Sequence, residues 1–458
     1  MADSMDPLFA FLLSVIAASI IIPWLGPFLS LIMASLLFGT LSGMGPELLG
    51  YISTGLARMF SSLALVIVGG ALLAEYLRRT GSLERIVSDL SRLAKRSLIA
   101  SGAAGFLISL PVMCSITAFM ILEPVVRGMA ATNASSRLEE KRALFMTAVC
   151  SIISFNLLYP SPVMITLSSS LLASPSGLLY RAIPISFALF AVACLIMRYI
   201  PLQAGADGRV VLAAGREDKP VQRAEKGGSG PAAQAAALQP IPLKISRIRA
   251  WAPLLLPLLL MLAGALVDLA VPAKLSLGGS SAAAPFRSAS AILTDPGMAL
   301  LLGALLGLVW QRDKMQELIH AASRRSGVIL LDLCGAGAFG YVVSRSDLSG
   351  EILRQEQLLP VLLLPFLLSA ALELAQGSRV VTSALAAEVL AGYPLPAETL
   401  ALLIAAGAFM LSYVTDPFFW LVKSATGASL KETALAYTLP LSLMGIFALA
   451  LAVVSGAL

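Results

Sequence analysis

The sequence predicts an all-α, polytopic membrane protein built from two inverted repeats of five transmembrane helices, each with a re-entrant hairpin and a broken helix. Composition is the first observation: 58% of the 458 residues are hydrophobic, 13% are charged and the mean hydropathy is +0.88. Soluble proteins carry roughly 25% charged residues. The second observation is that apolar runs long enough to span a bilayer recur on both sides of a polar segment. Because each half has an odd number of spans, the second half enters the membrane from the opposite side.

The first three spans are predicted from apolar runs near residues 8–22, 24–42 and 60–77. Arg78 and Arg79 end the third run. In residues 82–96, which follow, basic side chains alternate with apolar ones. This pattern is typical of an amphipathic helix that lies on the membrane surface.

The region of about 98–126 is predicted to form a re-entrant hairpin. It is apolar but interrupted at Leu110 and Pro111, and arginine and lysine residues flank it on both sides. Cytoplasmic segments are rich in these residues, so both flanks are expected on the same side of the membrane. A passage that begins and ends on one side must turn back inside the bilayer, and its tip needs protein or water around it.

The region of about 143–170 is predicted to form a broken helix. Tyr159-Pro160-Ser161-Pro162 interrupts it, because proline has no N–H for the helix ladder and its ring clashes with the preceding turn. A fifth span near 178–200 completes the first repeat, residues 1–200.

Residues 201–249 are predicted to form a flexible linker. The segment is rich in glycine, proline, alanine and charged residues and has few large apolar side chains to bury. Its basic residues, like most others between the spans, are expected on the cytoplasmic side. This topology predicts that both termini are extracytoplasmic and that the protein lies in the cell inner membrane.

The second repeat, residues 250–458, follows the same order. Its spans are predicted near residues 251–270, 290–310, 326–344 and 432–455. An interrupted apolar passage at about 357–391 predicts the second hairpin. The second broken helix is predicted at about 398–424, with its break at Thr415-Asp416-Pro417.

The two hairpin tips and the two helix breaks are expected to converge on one binding site. Unwound backbone presents free carbonyl groups and helix N-termini to a ligand. The alternative is that the polar residues there only satisfy backbone groups at turns. The candidate substrate-binding residues are Ser115, Thr117, Asn156, Ser161, Gln376, Gly377, Ser378, Arg379, Thr382, Thr415 and Asp416.

Arg379 and Asp416 carry the charges of this predicted site and are expected to face each other across it. A guanidinium at a hairpin tip is suited to bind a carboxylate through two hydrogen bonds. Its alternative roles are to reach the membrane surface or to bind hairpin carbonyls. Asp416 is the candidate proton carrier or acceptor for a substrate hydroxyl, and the alternative is that it caps the second half-helix.

Asp332 is the second candidate for proton coupling. Its neighbours Leu331 and Leu333 are apolar, and an ionised carboxylate is costly in such surroundings. Glu373 is a further acid inside a predicted membrane segment, and the sequence assigns it no role.

The second half resembles the gluconate permease family of the ion-transporter superfamily. TDPFFWLVK, residues 415–423, and LKETALAYTLPLS, residues 430–442, are similar to the family's NDSGFWLVK and LKETLKTWT signature. Residues 375–378, AQGS, match the family's second hairpin, and residues 330–340 its glycine-rich span. The first half is similar more loosely, through residues 108–112 and 159–162.

The resemblance implies an elevator-type architecture, proton-coupled uptake of gluconate or a related sugar acid, and a homodimer. Several residues depart from the family pattern and leave the substrate open. Ser115 stands where the family has an aspartate, and Ser161 where it has a histidine. Thr415 replaces an asparagine, Pro417-Phe418 replaces a Ser-Gly pair, and Arg379 replaces a small residue.

Taken together, the sequence predicts a secondary transporter that imports a small organic anion with protons. A cation/proton antiporter of the same superfamily is the alternative; it would bind its ion at Asp416 and Asp332, and sodium is then the coupling ion. A membrane-embedded enzyme is disfavoured, because the chain has one histidine and no H-E-x-x-H, G-x-S-x-G or Walker motif. The expected partners are the substrate anion, the lipid bilayer and a second copy of the chain. No nucleic acid, metal or organic cofactor is expected.

Overall fold

The computed structural model describes residues 6–93, 97–132, 137–202, 245–270, 292, 295–346, 348, 360–413 and 415–457. Throughout these ranges the regular secondary structure is helical, and none of it is β-strand. Most of the predicted linker, residues 201–249, lies outside the described residues, as does part of the predicted span near 290–310.

The first half contains eight α-helices within its described residues. They are α1 (Pro7–Leu41), α2 (Leu48–Thr80), α3 (Ser82–Leu93), α4 (Ser97–Val112), α5 (Ser115–Thr132), α6 (Arg137–Leu157), α7 (Pro162–Leu171) and α8 (Pro175–Tyr199).

The second half continues, over its own described ranges, with nine α-helices and one π-helical turn. They are α9 (Arg247–Ala270), α10 (Pro296–Val309), α11 (Met315–Ser344), α12 (Leu363–Gln376), α13 (Arg379–Val389), α14 (Ala397–Gly407), α15 (Pro417–Thr426), α16 (Leu430–Thr433), the π-turn (Ala434–Thr438) and α17 (Leu439–Ala457).

Seven helices in the described part of the chain are long and apolar enough to cross a membrane. Shorter apolar helices, including α4, α10, α12 and α14, accompany them. The prediction of an all-helical, polytopic membrane protein is therefore confirmed. The inverted relation of the two halves stays a prediction.

Helix α1 runs through both of the first two predicted spans and changes direction at Gly26. Gly26 has φ 73° and ψ 168°, a conformation that glycine adopts without a Cβ penalty. Pro27 follows and cannot continue the hydrogen-bond ladder. The two predicted spans are thus two segments of one kinked helix. In the same way, the predicted span at 326–344 is only the second part of a longer helix, α11, which begins at Met315.

Helix α6 and its continuation lie at the centre of the protein. In the span Arg137–Leu171, 94% of the apolar window is buried, whereas only 28% of the window in α8 is buried. Helix α8 instead exposes large apolar side chains such as Phe187 and Leu195, as a helix facing lipid does. The core is therefore built around the first broken helix.

Helices α2 and α11 approach each other closely through glycines. A Cβ on Gly55 would lie 2.5 Å from the carbonyl oxygen of Gly337. Small residues that let helix backbones touch are typical of packing inside membranes. These two long helices form a closely packed pair beside the interrupted helices.

The amphipathic helix α3 is fastened to α9 by a charged cluster around Asp89. Its carboxylate accepts a hydrogen bond from Trp251 Nε1 at 3.1 Å and lies within 3.5 Å of the guanidinium groups of Arg247 and Arg85. Burial acts to raise the pKa of Asp89, but the Trp251 hydrogen bond and the two positive charges outweigh it and lower the pKa. The carboxylate form therefore holds this surface helix in place.

Candidate functional site

The tip of α12–α13 and the break before α15 are joined by a buried ion pair. Arg379 Nη2 lies 3.2 Å from Asp416 Oδ2 and donates a hydrogen bond to Ser412 Oγ at 2.6 Å. The side chains of Arg379 and Asp416 are only 5% and 2% exposed. Arg379 and Asp416 therefore face each other inside the protein, in the manner that the sequence analysis expects.

Asp416 also caps helix α15. Its Oδ1 accepts a hydrogen bond from the backbone N–H of Phe418 at 2.8 Å, and Oδ2 accepts one from the Tyr437 hydroxyl at 2.7 Å. Aspartate before a proline at the first helical position is a common helix start, since the carboxylate satisfies an N–H that the helix leaves free. Asp416 thus combines the cap and the ion pair in one carboxylate.

The backbone of the α12–α13 tip touches the same break. Gly377 ends α12 with φ 63°, and a Cβ there would collide with the carbonyl group of Thr415. Only glycine fits both the left-handed conformation and this contact. The Thr415 side chain itself points to an exposed position, and Ser378 is half-buried.

A second carboxyl, that of Glu373, lies one turn before the tip. It is 1% exposed, and its Oε2 accepts a hydrogen bond from Thr382 Oγ1 at 2.9 Å. Glu373 also interacts electrostatically with Arg379 and Asp416. The site therefore contains two carboxyl groups and one guanidinium.

Three buried polar atoms of this hairpin have no hydrogen-bond partner among the described residues. They are Glu373 Oε1, Gln376 Nε2 and Arg379 Nε. An unsatisfied buried donor or acceptor costs about 1–3 kcal/mol, so such atoms are uncommon unless a ligand or a proton uses them. Two buried N–H donors without partners, on residues three positions apart at one hairpin tip, are suited to bind a small carboxylate compound.

The polar residues of the first break hold the two broken helices together. Asn156 Nδ2 donates a hydrogen bond to the carbonyl oxygen of Ala405 in α14, at 2.6 Å. Ser161 caps α7 by accepting a hydrogen bond from the N–H of Met164 at 3.2 Å. The structure thus gives Ser161 a capping contact, while Asn156 Oδ1 finds no partner in the described chain.

The tip of α4–α5 reaches the site through aromatic packing. Ser115 begins α5 and is buried, Thr117 is half-buried, and Phe119 packs edge-on against Phe418 with ring centroids 5.5 Å apart. In the described part of the chain, Arg379 and Asp416 form their hydrogen bonds with residues of the second half. Helix α5 therefore contacts α15 through Phe119, while the described hydrogen bonds of the ion pair do not include Ser115 or Thr117.

Asp332 is not among the described contacts of the Arg379–Asp416 ion pair. It is half-buried on α11 and accepts a hydrogen bond from the backbone of Phe28, just after the kink of α1. Its carboxylate satisfies a backbone N–H that the kink leaves free. The described contacts join Asp332 to α1 and not to Arg379 or Asp416.

Sequence reasoning missed Ser412, Tyr437 and the position of Glu373. Tyr437 reaches Asp416 from the π-turn, and π-turns frequently mark functional sites. The sequence offers no sign of this turn, because a π-turn depends on backbone geometry. Glu373 carries a signal: it is an acid three residues before Gln376 in an apolar helix.

Two polar cavities lie beside α7, the second part of the first broken helix. One, of about 390 Å³, is lined by Arg58, Tyr341 and Glu388 together with serines of α2 and α7. The other, of about 210 Å³, shares Ser61, Ser62 and Ser169 with it and reaches Tyr159. Of the two, only the smaller cavity reaches the break, and neither is lined by Arg379 or Asp416.

Buried charges beside interrupted helices, inside an all-helical polytopic chain, define the class of membrane transporters. Residues 7–457 match the family described as GntP family permease, so the chain belongs to that family. The expected membership in the gluconate permease family is confirmed. The protein is a permease, not an enzyme.

Two relatives support this assignment, and one solved structure shares the fold. The D-serine transporter DsdX of Escherichia coli is 27% identical over 93% of this chain and 92% of its own length. A gluconate permease of Zymomonas mobilis is 26% identical over 97% of this chain and 96% of its own length. The crystal structure of the Alcanivorax borkumensis YdaH transporter has a TM-score of 0.61 and 18% identity, and covers 96% of this chain and 98% of that chain. This last similarity concerns the fold alone.

Proposed function

We propose that the protein is a secondary active transporter that imports a small organic anion together with protons across the cell inner membrane. The observation that carries this proposal is the pair of buried donors, Gln376 Nε2 and Arg379 Nε, that have no partner among the described residues. A carboxylate has two acceptor oxygens and would satisfy both donors with charge-assisted hydrogen bonds.

The relatives favour a polar carboxylate of low molecular weight as the substrate. Gluconate and D-serine, for which two of them are named, both carry a carboxylate next to a carbon with a polar substituent. Arg379 keeps its Nη2 on Asp416 and Ser412, so the Nε edge of the guanidinium is the one that faces a substrate.

Proton coupling requires a carboxyl group that gains and loses a proton. Asp416 and Asp332 are the candidates from the sequence. Asp416 already accepts hydrogen bonds from Phe418, Tyr437 and Arg379. These contacts fasten Asp416 to Arg379 and to the start of α15, so we assign Asp416 the role of orienting Arg379.

An elevator-type movement is supported by the way the hairpin and the breaks are fastened to each other. The α12–α13 tip is joined to α15 by the ion pair, and Ser369 Oγ in α12 donates a hydrogen bond to the Ile404 carbonyl at 2.7 Å. The Asn156 contact adds the first broken helix. These elements would move as one body against the closely packed α2–α11 pair. The proposal also includes two inverted repeats and a homodimer.

The cation/proton antiporter is the weaker alternative. A cation site needs several oxygen ligands that are free to coordinate. Both oxygens of Asp416 are engaged by donors, and Asp332 accepts from the backbone of Phe28. Among the described residues the hairpin leaves two N–H donors and one carboxyl oxygen, Glu373 Oε1, without partners, and a single free oxygen is too few to hold a cation.

The proposal is tested by uptake of labelled gluconate and labelled D-serine into proteoliposomes, with and without an inward proton gradient. We expect one of these carboxylates to accumulate, and a protonophore to abolish the accumulation. Empty liposomes serve as the control. If neither these nor other short carboxylates accumulate, while a sodium gradient drives proton exchange, the antiporter is the correct function.

A further inference from the structure

Glu373 is a buried carboxyl with one free oxygen in the middle of the candidate site. Its side chain lies in α12 and is 1% exposed. Thr382 satisfies Oε2, whereas Oε1 has no partner within the described residues. A carboxylate in a membrane segment with a bare oxygen is unfavourable, and a proton on that oxygen removes the charge.

The charges that face Glu373 come from two other elements. Arg379 begins α13 and Asp416 caps α15, and both interact with Glu373 electrostatically. The hydroxyl of Tyr437, on the π-turn, faces the same pair. The other helices packed on α12 contribute few charged groups. Helix α1 (Pro7–Leu41) contains no ionisable side chain, and α14 contains one acid, Glu398 in its first turn.

The two carboxyl groups therefore compete for one guanidinium. Their hydrogen bonds decide which one pairs with Arg379 and which one holds a proton. Asp416 receives N–H and O–H donors on both of its oxygens and pairs with Arg379. Glu373 receives a single neutral hydroxyl. When two acids share a site, the one with fewer donors holds the proton.

We propose, on the basis of the proposed anion transport, that Glu373 is the residue that carries the coupling proton. The proton binds to Glu373 Oε1 from the side on which the site is open. A substrate carboxylate then binds to Arg379 Nε and Gln376 Nε2. Both leave on the other side, where Oε1 gives its proton back to water, so one proton crosses with each substrate molecule.

The coupling between proton binding and anion binding follows from the charges in the site. With Glu373 ionised, a bound anion would place three negative charges around one guanidinium in a site of low dielectric constant. Protonation of Glu373 removes one of them, so proton binding and anion binding favour each other to the same extent. Above the pH at which Glu373 loses its proton, substrate affinity therefore falls up to tenfold for each pH unit.

The test compares Glu373→Gln with the wild type in proteoliposomes, using labelled gluconate, a net anion, as the probe of pH dependence and labelled D-serine, a zwitterion, as a second probe of exchange. Glutamine keeps the shape of a protonated glutamate and cannot release a proton. We expect exchange of labelled for unlabelled substrate to persist, proton-driven accumulation to be lost, and affinity to change less than twofold between pH 6 and pH 9, against roughly tenfold or more in the wild type. Glu398→Gln, on α14, is the matched control and should retain accumulation.

Two results would overturn the proposal. One is proton-driven accumulation that persists in Glu373→Gln. The other is loss of binding at every pH in a folded Glu373→Gln protein, which would make Glu373 a substrate ligand or a structural residue. Absence of accumulation in the wild type would instead contradict the proposed transport itself.

Should Glu373→Gln fail to fold, Glu373→Asp provides the second measurement. Aspartate keeps a carboxyl but moves it by one methylene away from Thr382 and Arg379. We expect this variant to keep proton uptake on substrate binding, measured with a pH indicator in weak buffer, with its pH midpoint displaced from that of the wild type. An unchanged midpoint would show that the titrating group is another residue.

Discussion

Arg379→Ala removes the only positive charge of the ion pair at the hairpin tip. The pair is 3.2 Å long, and both side chains are almost fully buried. Removing one partner of such a pair leaves the other as an uncompensated buried charge, at about 3–5 kcal/mol. Asp416 would retain the Phe418 and Tyr437 donors, which places the expected loss at the lower end of that range.

The same substitution removes a substrate contact. A hydrogen bond between a guanidinium and a carboxylate contributes about 1.5–3 kcal/mol, so the dissociation constant should rise roughly 10- to 100-fold. Thermal unfolding of the purified protein, with and without gluconate or D-serine, measures both effects, because a ligand that binds the folded state raises its apparent stability.

The double variant Arg379→Ala with Asp416→Asn separates the two effects. It removes both charges, so it should recover stability relative to the single variant but not substrate affinity. Arg379→Lys keeps the charge and loses the planar fork, and should weaken binding more than stability. If the single and double variants unfold alike, the ion pair does not carry the stability, and unchanged affinity in Arg379→Ala would remove that residue from the site.

Two further predictions concern packing and pH. Gly377→Ala should abolish transport, since its Cβ meets the Thr415 carbonyl. Gly392 also has a positive φ but has open space around it, so Gly392→Ala should lose only about 1 kcal/mol of stability. Equal uptake by both variants would refute the contact between Gly377 and Thr415. Trp251→Phe should lower stability at neutral pH by about 1.5–3 kcal/mol. Because folding lowers the pKa of Asp89, the stability that this hydrogen bond contributes is present above about pH 4 and is lost as the pH falls through the folded-state pKa. Thermal unfolding at pH 7 and pH 3 should therefore show a smaller stability difference between wild type and Trp251→Phe at pH 3. A constant difference would contradict the role of Asp89.

Local chemistry made the breaks and tips predictable. Pro162 and Pro417 each begin a helix, and the polar residues before them, Ser161 and Asp416, cap those helices. These features depend on neighbouring residues alone, and so a single sequence contains them. The same holds for Gly377, where the chain turns between α12 and α13.

Contacts between distant parts of the chain were not predictable in this way. Asn156 and Ala405 are 249 residues apart, and no local rule pairs an amide with one particular carbonyl. The role of Asp332 depends on the kink of α1 at Gly26, which brings a free backbone N–H to its carboxylate. Tyr437 enters the site because a π-turn rotates it toward Asp416, and that rotation has no signature in the residue types.

The position of Asp416 explains how the proposed transporter would prevent an anion from crossing without a proton. Arg379 by itself would bind a carboxylate whether or not a proton was present, and the carrier would then leak anion. With Asp416 fixed on Arg379, the pair is neutral, and the substrate adds a net negative charge to a buried site. That charge is tolerated when Glu373 is protonated and opposed when it is ionised. Asp416 therefore makes the affinity of Arg379 for an anion depend on a proton that a different residue carries.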